Sequence, residues 1–180
     1  MKPDRAPRGV PSRKDPADAA GSKSRTSDGR DTPPPQPARS LSRSIESTPR
    51  DVRRALKTIS GELALQGIGE TDREAIEVVL AECMNNVVEH AFGETPGRRF
   101  DLRLHIADDQ LFCRVEDRGK PMPGLAPPAG RLPDLPVRLE DLPEGGFGWF
   151  LIRELTCDLR YCRRDDRNSL TFQIPLGRCD

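Results

Sequence analysis

The sequence has no apolar run approaching the ~18–20 residues of a membrane span, and its first residues lack the apolar core of a secretory signal. Neither membrane insertion nor secretion is therefore expected. The five cysteines, Cys83, Cys113, Cys157, Cys162 and Cys179, are odd in number and contain no C-x-x-C pair. That argues against a disulfide framework and a zinc site, so reduced thiols in the cytoplasm are the default expectation. Aromatic residues are only 4% of the chain. Basic residues are not interleaved with aromatics and no recognition motif is present, so nucleic acid is not an expected partner.

What is present is unevenly distributed. Residues 1–50 hold 11 Lys/Arg against 6 Asp/Glu and nine of the eighteen prolines; residues 51–180 hold 18 Lys/Arg against 23 Asp/Glu. A formal net charge of zero thus hides a basic segment ahead of an acidic body. The basic segment is rich in Ser, Asp and Arg and cannot bury enough apolar area to offset its ordering entropy. Residues 1–40 are expected to be a disordered tail, a solvated extension rather than a binding element. Residues 41–176 are expected to form one domain, followed by a short C-terminal tail at 177–180.

Within the domain, the weak alternation of residues 40–46 suggests an edge strand. Thr48-Pro49 looks like a helix N-cap with proline at the first position. Val52, Leu56, Ile59 and Leu63 follow at helical spacing, and Gly67 can close the helix. Thr71-Asp72-Arg73-Glu74 fits a capping box that starts a second, longer helix. Phe100, Leu102, Leu104 and Ile106 alternate with polar residues, Asp108-Asp109 turns the chain, and Leu111, Cys113 and Val115 alternate again, which predicts a hairpin. A proline- and glycine-rich stretch, 118–144, has no periodicity and is long enough to suggest a lid or disorder. A helix should then run to about Thr156. Strands at about 157–164 and 168–175 follow, with an Asp165–Asn168 turn between them. This order predicts an α+β sandwich: a mixed, mainly antiparallel sheet covered on one face by helices.

Three stretches invite a chemical reading. In residues 78–92, Glu82, Asn86 and His90 recur every four residues, so a helix presents them on one face among the apolar Val78, Val79, Met84, Val87, Val88 and Phe92. A carboxylate and an amide in such a helix need partners, because burying them unpaired is costly. The bland account is a satisfied network or an exposed polar stripe. The second stretch is Asp117-Arg118-Gly119 at a strand end, where an acid followed by glycine is either a turn or a ligand-reading carboxylate. The third is Gly145-Gly146-Phe147-Gly148 leading into an apolar helix. Glycines there are either a hinge or a way for backbone N–H groups to approach an anion, which the helix dipole favours.

Together and in order, these stretches resemble the ATP-binding domain of the histidine-kinase-like (GHKL) superfamily. The closer resemblance is to bacterial anti-sigma factors that double as serine/threonine kinases. Glu82, Asn86 and His90 match its Glu-x-x-x-Asn-x-x-x-His helix. Asp117 and Gly119 match its Asp-x-Gly motif. Gly145, Gly146, Gly148 and Ile152 match its glycine-rich helix start. Pro121 stands where the family often has a further glycine.

The resemblance implies an ATP-binding sandwich of the Bergerat type, with ATP and Mg²⁺ as cofactors. It implies Asn86 as a magnesium ligand, Glu82 as the carboxylate that orients or deprotonates the attacking hydroxyl, and Asp117 as the acceptor for the adenine amine. Gly119 would pass close to the base, Gly145, Gly146 and Gly148 would wrap the triphosphate, and Thr171 near the last strand would help hold the adenine. His90 would be structural, with Asn85 and Glu89 supporting the same face, and His105 would pack on its strand. The implied partners are an anti-sigma-factor antagonist carrying the phosphoacceptor and a sigma factor, and a homodimer is the common state. The competing expectation is a non-catalytic ATP-binding module that holds a sigma factor or another regulator without phosphoryl transfer.

Overall fold

The computed structural model describes residues 39–130 and 147–177. Five strands form one sheet: β1 (Arg39–Glu46), β2 (Arg99–Ala107), β3 (Gln110–Asp117), β4 (Cys157–Arg164) and β5 (Arg167–Pro175). Their order is β1-β2-β3-β5-β4 and every pairing is antiparallel, so no parallel pair occurs among the described residues. Three helices, α1 (Pro49–Leu65), α2 (Glu70–Asn86) and α3 (Gly148–Leu155), supply the second layer. Among the described residues no helix is long and apolar enough to cross a membrane.

The helix ends follow local chemistry. The Thr48 hydroxyl accepts the Asp51 N–H at 3.1 Å, with Pro49 at the first position as expected. At the other end, Gly67 takes φ +84°, the Gly67 N–H reaches the Ala64 carbonyl, and the Ile68 N–H reaches the Leu63 carbonyl. These two bonds make a Schellman motif. The capping box expected at Thr71 does not form. Gly69 is the N-cap of α2 and its carbonyl takes the Arg73 N–H, which places Thr71 inside the first turn. Asp72 instead accepts the Gly177 N–H at 2.8 Å, tying the end of the domain to α2.

Two two-residue turns set the hairpins. Asp108 and Asp109 both have positive φ, as do Asp165 and Asp166. Two such residues in sequence match the twist of the flanking strands. The second turn is shorter than expected, because Arg167 and Asn168 already belong to β5.

With the registers fixed, side chains of one parity stack in rows across the sheet: Leu102, Val115 and Leu170; Leu104, Cys113 and Phe172; Ile106, Leu111 and Ile174. These rows meet Val52, Ile59 and Leu63 of α1 and Ile76, Val79, Leu80, Cys83 and Met84 of α2 in one core. Val78, at 39% exposure, lies outside it. Leu80 is fully buried. Leu80→Ala is expected to cost about 2–5 kcal/mol through lost transfer energy and the cavity left behind. Urea unfolding followed by circular dichroism measures it.

Candidate functional site

The row beyond Leu102, Val115 and Leu170 on the same face of the sheet is polar. Asp117 of β3 stands opposite Asn168 of β5, which stands opposite Arg163 of β4. The alternation that builds the core therefore delivers a buried carboxylate and a buried amide at its edge. The Asn168 Nδ2 donates to Asp117 Oδ1 at 2.7 Å and to the Lys120 carbonyl at 3.0 Å. Its Oδ1 accepts from the Tyr161 hydroxyl and from Arg163 Nη1, both at 2.6 Å. The Gly119 N–H also donates to Asp117 Oδ1, at 2.7 Å. Burial pushes the Asp117 carboxyl above its ordinary range; the bonds from Gly119 and Asn168 and the charge of Arg163 oppose the rise.

α2 meets this row from above. After Asn86 the helix widens into a π turn, Val87–Ala91, in which the Phe92 N–H reaches back to the Val87 carbonyl. Such a turn inserts one residue and re-aims the side chains beyond it, and it is frequent at functional sites. Here it presents the Ala91 carbonyl to the Lys120 N–H at 2.8 Å. Gly119 lies so close that an added Cβ would fall 2.3 Å from the Ala91 oxygen. The small residue is thus required by the end of the helix.

Between the π turn, the sheet edge and the loop after β3 lies a cavity of about 590 Å³. Asn86, Asp117, Lys120, Trp149, Tyr161 and Asn168 are among its lining residues. The Asn86 Nδ2 is buried without a partner. A buried amide left in this state costs free energy that a ligand in the cavity can return. The oxygen of the same Asn86 amide is a hard donor of the kind magnesium takes, one or two from protein with water and phosphate filling the rest of the shell. The loop is anchored as far as Pro128: Arg153 of α3 donates to the Pro128 and Pro127 carbonyls at 2.8 and 3.1 Å.

Glu82 sits one turn before Asn86, against the start of α3. A Cβ added at Gly148 would meet the Glu82 Oε2 at 2.1 Å. α3 has no side-chain cap and no acid in its first turn. The Glu82 carboxylate therefore lies at a helix start that carries the positive end of the macrodipole.

A family model described as the histidine kinase-like ATPase domain matches residues 45–174. The chain belongs to the histidine kinase-like ATPase domain family. Two curated relatives, both serine-protein kinases RsbW, are similar to this ATPase domain. That of Halalkalibacterium halodurans is 35% identical over 104 residues, covering 54% of this chain and 60% of the relative. That of Oceanobacillus iheyensis is 29% identical over 119 residues, covering 64% of this chain and 74% of the relative. The chain thus spans less than two thirds of the first of them. The fold also matches a solved structure of RsbU and RsbW domains from Mycobacterium tuberculosis, with a TM-score of 0.54 at 18% identity, over 78% of this chain and 33% of that one.

Within this ATPase domain the expected site residues separate into groups. Asn86 and Asp117 line one cavity, Gly119 underlies it, and Glu82 and Gly148 abut beside it. Gly145 and Gly146 lie outside the described residues. Thr171 is not brought to the cavity. Strand parity turns it to the helix-free face, beside Arg114 and Arg160. His90 lines the cavity mouth, but it is exposed and has no hydrogen-bond partner among the described residues, so the support expected of it is not made. Glu89 is exposed at the same mouth, and Asn85 is half-buried. His105 packs on its strand as expected, against Phe112 and Ser40.

Asn168, Tyr161 and Arg163 are site residues that the sequence motifs do not reveal. A usable signal is nevertheless in the chain: Leu170, Phe172 and Ile174 fix an inward parity, and Asn168 is the next inward position of the same strand.

Proposed function

We propose that the chain is an ATP-dependent serine/threonine protein kinase that acts as an anti-sigma regulatory factor. It would phosphorylate an anti-sigma-factor antagonist and capture a sigma factor once that antagonist is released. The observation that carries the proposal is the convergence of Asn86 and Asp117 on one cavity, with Glu82 beside it at the start of α3. In this reading the catalytic domain begins with β1, which already includes Arg39 and Ser40 of the expected tail; the rest of that tail, residues 1–38, lies outside the described residues.

Asp117 accepts a hydrogen bond from the exocyclic amine of adenine, which selects adenine over guanine. The Asn86 amide oxygen would hold magnesium, which when bound would supply positive charge to offset that of the phosphates. Gly148 lets Glu82 approach the N-terminus of α3, and that helix start favours the charge of the triphosphate. Glu82 takes the proton of the acceptor hydroxyl as that oxygen bonds to the γ-phosphorus and the bond to ADP breaks. The added phosphate weakens the antagonist's contact through repulsion and desolvation.

The experiment is incubation of the chain with γ-labelled ATP, magnesium and purified antagonist-domain proteins. Label should pass to a serine or threonine of one antagonist, and the chain should then bind a sigma factor. ATP binding without transfer to any of them would reassign the chain to a non-catalytic nucleotide-binding module.

A further inference from the structure

The carboxylate that would read the nucleobase is itself held by a second residue. We propose that Asn168 is a positioning residue that fixes Asp117 as the acceptor for a 6-aminopurine, and so sets the base selectivity of the cavity. The inference rests on the nucleotide-binding reading above.

The geometry admits one orientation of the Asn168 amide. Its oxygen faces two donors, the Tyr161 hydroxyl and Arg163 Nη1, while its nitrogen faces Asp117 Oδ1 and the Lys120 carbonyl. A flipped amide would set donor against donor and acceptor against acceptor. The Tyr161 hydroxyl is held in turn, because it accepts the Met122 N–H at 3.1 Å. Arg163 also bonds the Gly119 carbonyl at 3.0 Å and pairs with Asp166.

With Asn168 and Gly119 both donating to Asp117 Oδ1, the carboxylate plane is fixed. Its Oδ2 has no hydrogen-bond partner among the described residues and remains the acceptor for a ligand. An amine at the base completes it; a keto oxygen there would face a lone pair. Asn168 itself is 3% exposed with its hydrogen-bonding atoms already paired, so it acts through Asp117.

Asn168→Asp separates this role from simple packing. The new side chain has nearly the same shape and keeps Tyr161 and Arg163 as donors. It also places two carboxylates at hydrogen-bond distance. Such a pair shares one proton over a wide pH range. When the proton sits on residue 168 it restores a donor to Asp117; when both are ionised, Asp117 is repelled from its position. The other groups around Asp117 are Arg163 and Tyr161 of β4, Lys120 of the loop, Cys83 of α2, and Glu89 and His90 of the π turn. They are common to both proteins, so a reversal of the pH profile isolates residue 168.

The test is calorimetric titration with ATP, and with the analogue lacking the 6-amino group, between about pH 8 and pH 6. Wild type should prefer ATP to the analogue, with affinity constant or falling on acidification. Asn168→Asp should bind ATP roughly tenfold or more weakly at the alkaline end and regain affinity as the pH falls. Wild-type affinity in the variant at about pH 8, or a uniform loss with the wild-type pH profile, would overturn the inference alone. Failure of wild type to bind ATP overturns the nucleotide-binding reading with it. Should Asn168→Asp not fold by circular dichroism, Tyr161→Phe removes one donor to the Asn168 oxygen. It should then narrow the preference for ATP over the analogue, and an unchanged preference counts against the proposal.

Discussion

Replacing Glu82 by glutamine is expected to lower phosphate transfer by about 10²–10⁴-fold, the usual contribution of a positioned general base, while ATP affinity stays within a few-fold of wild type. Glutamine keeps the shape that packs against Gly148, where an added Cβ would meet Glu82 at 2.1 Å. It cannot take a proton from an attacking hydroxyl. Glu82 is also not among the residues lining the cavity that holds Asp117, so base recognition through Asp117 should persist. Single-turnover transfer to an antagonist protein, run beside equilibrium ATP binding, separates the two effects. Transfer at the wild-type rate would place the base elsewhere. Loss of ATP binding instead would make Glu82 a support for the phosphate site.

The second large effect is expected at Gly119. In Gly119→Val the new Cβ falls 2.3 Å from the Ala91 oxygen and 2.6 Å from its carbonyl carbon. Both atoms are backbone at the end of the π turn, so the clash is not relieved by turning a side chain. The strand end must move, and that breaks the Lys120 N–H bond to Ala91 and the Gly119 N–H bond to Asp117. A cost of about 1–3 kcal/mol is typical of such overpacking, and ATP affinity should fall with it because the carboxylate loses a donor. Gly61 supplies the contrast. It lies within α1 with nothing within 4 Å of an added Cβ, so Gly61→Ala should stabilise by about 0.5–1 kcal/mol. Thermal unfolding and ATP titration of the two variants together distinguish close packing at Gly119 from a general dislike of substituted glycines.

Much of the architecture is legible in the sequence because each signal is local. The Thr48-Pro49 cap, the Gly67 stop and the alternating runs of β2, β3 and β5 are written in neighbouring residues, and the structure follows them. The misread features depend on something distant. Thr71 looks like a cap because of Glu74, but Gly69 precedes it and starts the helix two residues earlier. The π turn leaves little trace in the pattern, since Val87, Val88 and Phe92 suit a helix of either pitch. His90 still lines the same cavity as Asn86, but at its mouth, exposed and without a hydrogen-bond partner among the described residues. Thr171 is suggested by residue type alone, and strand parity sends it to the other face of the sheet. Asn168 looks like part of a turn, which hides its inward position. Asn86 and Asp117 stand out by motif, yet only the Gly119 N–H that holds Asp117 is local; its side-chain partner, Asn168, lies 51 residues further along the chain.

The Asp165–Asp166 turn makes no contact with the cavity through its backbone, yet it acts as the ruler for the site. Its two left-handed residues set which β4 residue faces which β5 residue, and so bring Arg163 level with Asn168. One extra residue there would shift β4 against β5 by a step and exchange the faces of its side chains. Arg163 and Tyr161 would turn outward while β5 remained paired to β3. The inner rows contributed by β2, β3 and β5 would survive such a change, whereas the hold on the Asn168 oxygen would be lost. Tolerance to insertion should therefore differ sharply between the two aspartate turns. Lengthening at Asp108–Asp109 disturbs packing, and lengthening at Asp165–Asp166 disturbs recognition.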